Sequence, residues 1–113
     1  MIQIKRVYEN YEEGDGYRVL VDRLWPRGIS KATARIDEWA KEIAPSNELR
    51  QWFNHEPEKF SAFRTKYKHE LQDKKDWLDA IRKKTQHQRV TLLYGAKDKE
   101  HNQAQVLLEL LKK

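Results

Sequence analysis

Residues 17–24 constrain the fold of this 113-residue chain more than any other stretch. Their centre, Val19-Leu20-Val21, is continuously apolar, which is typical of a strand buried on both faces of a parallel sheet. A second apolar run, Val90–Tyr94, predicts another strand. The long stretch between these two strands has room for a helical crossover, so we expect them to pair in parallel.

The N-terminus predicts one more strand, because the apolar residues Ile2, Ile4 and Val7 lead up to Tyr8. The connection to the next strand is short and polar, with turn residues at 14–16. A connection of this length also fits a hairpin. The direction of the first strand relative to the second therefore stays open.

Capping residues and apolar spacings predict helices between the two long strands. Ser30 is a candidate N-cap for the first helix. The apolar face of that helix has helical spacing and consists of Ile36, Trp39, Ala40 and Ile43. Pro45 ends it, and Ser46 is the candidate N-cap of a second helix. The apolar residues of the second helix are Leu49, Trp52 and Phe53.

Three further helices follow from the same signals. Pro57 suits the first turn of a third helix, whose buried side consists of Phe60, Phe63, Tyr67 and Leu71. Asp73 and Asp76 resemble a capping box that starts a fourth helix, with inward residues Trp77, Leu78 and Ile81. A last helix follows the strand Val90–Tyr94, and its apolar face consists of Ala104, Leu107, Leu108 and Leu111.

Together these segments predict a small three-layer α/β domain that spans residues 1–113. We expect a mostly parallel sheet of about three strands, covered by four to five helices.

The composition limits the class of protein. The formal net charge of +5 favours anionic partners without choosing between small molecules and nucleic acids. Cysteine is absent, which excludes disulfides, thiolate metal sites and cysteine nucleophiles. No signal-peptide core and no membrane-length apolar window is found. We therefore expect a cytoplasmic protein with no membrane partner, and the oligomeric state stays open.

Polar side chains follow both buried strands, where an open α/β sheet binds ligands. The first group is Asp22, Arg23, Trp25 and Arg27. The second group is Tyr94, Lys97, Asp98, His101 and Asn102. If the strands are parallel neighbours, the two groups meet in one cleft.

The residue types in this cleft suit an anionic small molecule. Arg23 and Arg27 offer planar donors to a phosphate or carboxylate, and Trp25 could stack on a ring. As hypothetical catalytic groups, His101 would move a proton while Asp98 or Asp22 orients it. The remaining ligand-binding candidates are Tyr94, Asn102 and His55.

A purely structural interpretation also fits each of these residues. Asp22 would pair with an arginine and Trp25 would fill the core. Asp98 would be an N-cap, while His101 and Asn102 would close hydrogen bonds in the first turn of the last helix. The alternative for His55 is a cation stabilised by a helix C-terminus.

No cofactor and no metal is predicted. A metal site could be drawn from His55, His101, Asp22 and Asp98, but their spacing matches no pattern such as HExxH. A non-catalytic nucleic-acid or protein interaction module is the alternative function, because the third and fourth helices are rich in lysine. Acidic residues are interleaved with these lysines, which favours a solvated surface.

Several spaced motifs resemble the short YeaO-like branch of the DUF488 family. They are residues 22–28 (DRLWPRG), 44–46 (APS), 49–50 (LR), 52–53 (WF), 63–64 (FR), Tyr67, 92–94 (LLY), Asp98, His101 and Asn102. The resemblance implies an α/β fold and a cytoplasmic, mostly prokaryotic protein. It supplies no catalytic residues, because the function of that family is unknown.

Two segments are also similar to rhodanese domains. Val21-Asp22-Arg23 resembles a rhodanese turn, and residues 92–111 resemble the active-site loop that carries the rhodanese cysteine. Gly95 or Ala96 stands at the place of that cysteine, so sulfur transfer and cysteine-based phosphatase chemistry are excluded. The similarity then implies at most an anion-binding loop at a helix N-terminus.

Overall fold

Four parallel strands form the central sheet in the computed structural model, which describes residues 1–112. They are β1 (Ile2–Arg6), β2 (Tyr17–Leu20), β3 (Glu38–Trp39) and β4 (Val90–Tyr94). Their order across the sheet is β1-β4-β2-β3. The predicted parallel pairing of β2 with β4 is confirmed, and Val19 lies opposite Leu92. No hairpin joins β1 to β2, because β1 pairs in parallel with β4 instead.

Five helices complete the described part of the chain. They are α1 (Lys31–Ala34), α2 (Asn47–Phe53), α3 (Phe60–Glu70), α4 (Lys75–Thr85) and α5 (Gln103–Lys112). Ser30 and Ser46 are N-caps as predicted, since their side chains accept hydrogen bonds from the backbone of Thr33 and Leu49. The α/β class is confirmed, with one strand more than expected. Within residues 1–112, no helix has the length and apolar character that a bilayer crossing requires.

The helix predicted from Ile36, Trp39, Ala40 and Ile43 is wrong. The chain forms edge strand β3 there, followed by a 3-10 turn at Lys41–Ile43. The Ala40 amide donates to the Leu20 carbonyl, so sheet hydrogen bonds replace those of a helix. Ile36 and Trp39 pack on one face of the sheet, while Ala40 and Ile43 enter the core on the other. The apolar spacing that predicted one face of a helix therefore places side chains on both faces of a sheet edge.

Two details of the predicted fourth helix are also wrong. Asp73 lies in a 3-10 turn, Leu71–Asp73, and Lys74 is the N-cap of α4 without a side-chain capping bond. Trp77 does not face inward, because 44% of its surface is exposed. Leu78 and Ile81 are buried as predicted. The amphipathic face of α4 is thus narrower than the sequence pattern indicated.

Most of the hydrophobic core lies on one face of the sheet. There α2 to α5 cover the strands, and Phe53, Phe63 and Tyr67 form a packed aromatic series. The opposite face is covered by α1 and loops, and its apolar cluster is centred on Val7, Leu20 and Leu93.

The position at which β2 ends determines where the site residues that follow it are placed. The strand was predicted to reach residue 24, but it ends at Leu20. The Val21 amide still donates to the Leu93 carbonyl. At Asp22 the chain leaves the sheet, because the side chain rather than the backbone bonds to the loop after β4. Residues 23–27 therefore lie outside the sheet, and they line the cavity at its edge.

Candidate functional site

A cavity of about 800 Å³ opens at the edge of the sheet where β2 and β4 end. Three segments enclose it: residues 22–27 after β2, residues 95–103 after β4, and α2 with the turn that follows it. Phe53 and Phe63 provide apolar wall from the helical layer. The arrangement places the two polar groups predicted from the sequence around one hollow, at the position where open α/β sheets bind ligands.

Asp22 lies between the ends of the two central strands. Its Oδ2 accepts a hydrogen bond of 2.9 Å from the Gly95 amide, and its Oδ1 accepts one from the Gln103 side chain. A Cβ at position 95 would lie 2.8 Å from Oδ2, so glycine allows this close approach. Burial raises the pKa of the Asp22 carboxyl to about 6, although both hydrogen bonds and the charge of Arg50 lower it. The group can thus change protonation near neutral pH.

Cationic side chains line the rest of the cavity. Arg27, Arg50 and Lys97 all belong to its wall. Within residues 1–112, none of the three forms an ion pair with a carboxylate. Arg50 donates one hydrogen bond to Asn47 Oδ1 and keeps its other donors. The cavity wall therefore carries positive charge that is not paired with carboxylates of the described residues.

Arg23 is placed differently from the predicted anion clamp. Its Nε donates to the Pro45 carbonyl at 2.7 Å, and its Nη2 donates to the Ala44 carbonyl at 3.3 Å. These carbonyls immediately precede the N-cap of α2. Arg23 lines the cavity, yet its clearest role is to hold α2 beside the loop after β2.

His101 and Asp98 form a pair at the cavity wall. His101 Nδ1 lies 2.8 Å from Asp98 Oδ2, and the imidazole packs edge-on against Phe60. Hydrogen bonds from the Glu100 amide and from His101 hold the pKa of Asp98 below its usual value. The Asp98 carboxylate thereby fixes the orientation of the ring, which is the geometry of an oriented acid–base group.

Asn102 and Tyr94 have structural surroundings. Asn102 is buried, and its Oδ1 accepts from the Gln105 amide while its Nδ2 donates to the Asp98 carbonyl. It thus caps α5, although it also borders the cavity. Tyr94 is buried in the main core and is not among the residues that line the cavity.

Trp25 and His55 both border the cavity. Trp25 donates from Nε1 to the Ile29 carbonyl at 2.7 Å and packs edge-to-face on Trp39. Trp25 therefore lines the cavity, and it also packs against the smaller apolar cluster, as the structural interpretation expected. His55 is exposed and follows Asn54, and both have positive φ angles, of 55° and 48°. Such consecutive left-handed residues are uncommon and turn the chain sharply after α2.

Three residues that help to build the site were not predicted from the sequence. Arg50 supplies charge, Gln103 binds Asp22, and Arg6 donates to the carbonyls of Gly95 and Ala96. Helical spacing could have indicated Arg50, because it lies one turn before the buried Phe53. Arg6 had no local signal, since its partners lie in the loop after β4, which is distant in sequence.

On the helical layer, several basic side chains are paired with acidic ones. Arg82 pairs with Asp79, and Arg64 and Lys68 both face Glu109. Within the described residues, no three histidine or acidic side chains gather as a metal site would require.

Comparison with known proteins places the chain in a family. A family model described as "Inactive DUF488-N3 subclade" matches residues 1–113. The chain belongs to the DUF488-N3i family. The resemblance inferred from the spaced motifs is thereby confirmed.

The relatives of this DUF488-N3i chain include proteins from distant bacteria. It is 49% identical to the uncharacterized protein YeaO of Escherichia coli (strain K12), over 98% of this chain and 96% of YeaO. It is 43% identical to the uncharacterized protein Rv3073c of Mycobacterium tuberculosis, over 97% of this chain and 92% of that protein. No solved structure matches the chain.

Proposed function

We propose that this chain is a non-catalytic binding domain and that its cavity takes a small molecule bearing a phosphate or carboxylate. The observation that carries the proposal is a set of cations that line the cavity from three different segments and, within residues 1–112, have no acidic partners: Arg27, Arg50 and Lys97. Guanidinium groups with free donors suit planar or tetrahedral oxyanions. The volume, about 800 Å³, lies in the range of small-molecule sites.

The family description supports binding rather than turnover, because it calls the subclade inactive. The His101–Asp98 pair then has a recognition role, since its oriented ring presents a donor or an acceptor to the ligand. In this proposal the hypothetical catalytic roles of Asp22, Asp98 and His101 become roles in ligand selection.

Isothermal titration with phenylphosphonate, benzoate and inorganic phosphate tests the proposal at low ionic strength. We expect the ring-bearing anions to bind, and we expect Arg27→Ala and Arg50→Ala each to weaken binding about tenfold, the value of one or two charge-assisted hydrogen bonds. Arg89→Ala is the matched control, because it removes an exposed guanidinium that does not line the cavity. Absence of binding at millimolar concentrations, or equal losses in all three variants, would overturn the proposal.

A further inference from the structure

We infer that the ligand of this cavity is amphoteric, with an acidic group held by Arg27 and Arg50 and an ammonium or amidinium group paired with Asp22. This inference rests on the proposed function and specifies the chemical class of the ligand. It follows from the distribution of charge in the cavity, where the half-buried Asp22 carboxylate, without an ion-pair partner among residues 1–112, stands among several cations.

Asp22 has no direct cationic partner among the described residues, although the charge of Arg50 acts on it. Its two direct partners, the Gly95 amide and the Gln103 side chain, are both neutral. Within residues 1–112, no lysine, arginine or histidine forms an ion pair with it. A carboxylate that is largely removed from water without a direct cationic partner is costly. A cationic group on the ligand would remove that cost on binding.

Asp22 also retains capacity for another hydrogen bond. A carboxylate offers about four acceptor positions, and the two protein donors use one on each oxygen. The same residue lines the cavity rather than being sealed beneath it. The free acceptor positions are therefore available to a donor group that enters from the cavity.

The rest of the wall suits the other half of such a molecule. Arg27 and Arg50 lack acidic partners and can hold an oxyanion, as argued above. The wall of the same cavity also includes Phe53, Phe63 and Trp25. These residues can pack against the carbon chain or ring that separates the two charged groups.

The experiment compares aminoalkylphosphonates of two to four carbons with alkylphosphonates in which methyl replaces the ammonium group. Titration of the wild-type protein with each pair measures the preference directly and does not depend on whether a variant folds. We expect the amino compound of at least one chain length to bind about tenfold tighter, because it adds a charge-assisted hydrogen bond.

Two variants assign the preference to a residue. Asp22→Asn, checked for folding by circular dichroism, should still bind alkylphosphonates but lose the preference for the amino compounds. Asp98→Asn removes the other carboxylate of the cavity, and loss of the preference there but not in Asp22→Asn would overturn the inference. Equal affinities within every pair in the wild type would also overturn it, while the proposed function would stand. Failure of all phosphonates to bind would overturn both.

Discussion

A carboxyl group at position 22 follows three fully buried residues and meets the end of a neighbouring strand. This location, rather than the identity of Asp22, determines its protonation behaviour. The order acid, arginine and tryptophan after a buried strand indicated a site, but it did not indicate that the Asp22 pKa is raised to about 6. That value comes from burial in the folded chain, which outweighs the opposing effects of Gly95, Gln103 and Arg50, residues far away in sequence.

The raised pKa predicts how stability depends on pH. Between an unfolded value of 3.8 and a folded value of about 6, the native state binds more protons at Asp22 than the unfolded state does. The free energy of unfolding of the wild type, relative to Asp22→Asn, should therefore fall by up to about 3 kcal/mol from about pH 4 to about pH 7.

Urea denaturation of both proteins across this pH range checks the prediction. Subtraction of the variant's curve removes contributions from groups that both proteins share, including the neighbouring Arg23, Arg50, His55, Lys97, Asp98 and His101. A difference that stays constant would show that Asp22 keeps an ordinary pKa in the native state, and one that rises with pH would show that folding lowers this pKa; either result would contradict the prediction.

The elements that surround the cavity begin and end at residues with specific capping roles. Ser46 starts α2 and Asn102 starts α5, each by a side-chain bond to a backbone amide. Ser46 was predicted as a cap because serine before a polar first turn is a local signal. Asn102 was considered both as a cap and as a ligand-binding residue, and its hydrogen bonds place it at the start of α5.

Removal of the α5 cap should weaken the protein measurably. Asn102→Ala removes the side-chain partners of the Gln105 amide and the Asp98 carbonyl, so we expect a loss of about 1–2 kcal/mol in the free energy of unfolding. Asn102→Ser keeps an acceptor for the helix and should recover part of that loss. Equal stability of the wild type and the alanine variant in urea denaturation would contradict the capping role.

The strand β3 shows why whole elements can be mispredicted. Residues 36–43 have helical apolar spacing, yet their backbone bonds to β2 through Val19 and Leu20. A short segment that places side chains on both faces of a sheet edge has an apolar pattern like that of an amphipathic helix. The presence of an open edge on β2 decided between the two structures.

At the scale of the whole molecule, the two faces of the sheet are stabilised in different ways. The helical face is a large apolar core, whereas the other face combines a small apolar cluster with buried charge. There Asp15 bonds to both Lys5 and Arg18, and the side chain of Arg18 also donates to the Ala34 carbonyl. This charge cluster links β1, β2 and a 3-10 turn at Glu13–Asp15 to α1.

Breaking this cluster should be one of the most damaging single changes in the protein. Asp15→Asn leaves Lys5 and Arg18 largely buried without their shared carboxylate, and such losses cost about 3–5 kcal/mol. Glu12→Gln is the matched control, since it removes the exposed partner of Lys5 and should cost less than about 1 kcal/mol. Similar denaturation midpoints for the two variants would mean that the buried cluster contributes little.

The sequence by itself determined the α/β class, the central strands β2 and β4, and the loops that enclose the cavity. These features depend on local signals, because a continuous apolar run, a capping serine or a proline acts within a few residues. Only the tertiary structure decided that β1 pairs with β4, that residues 38–39 form a strand, and which cations face Asp22. Such features depend on contacts between residues far apart in the chain, and the free energy of those contacts is set by pairing and burial that no local pattern contains.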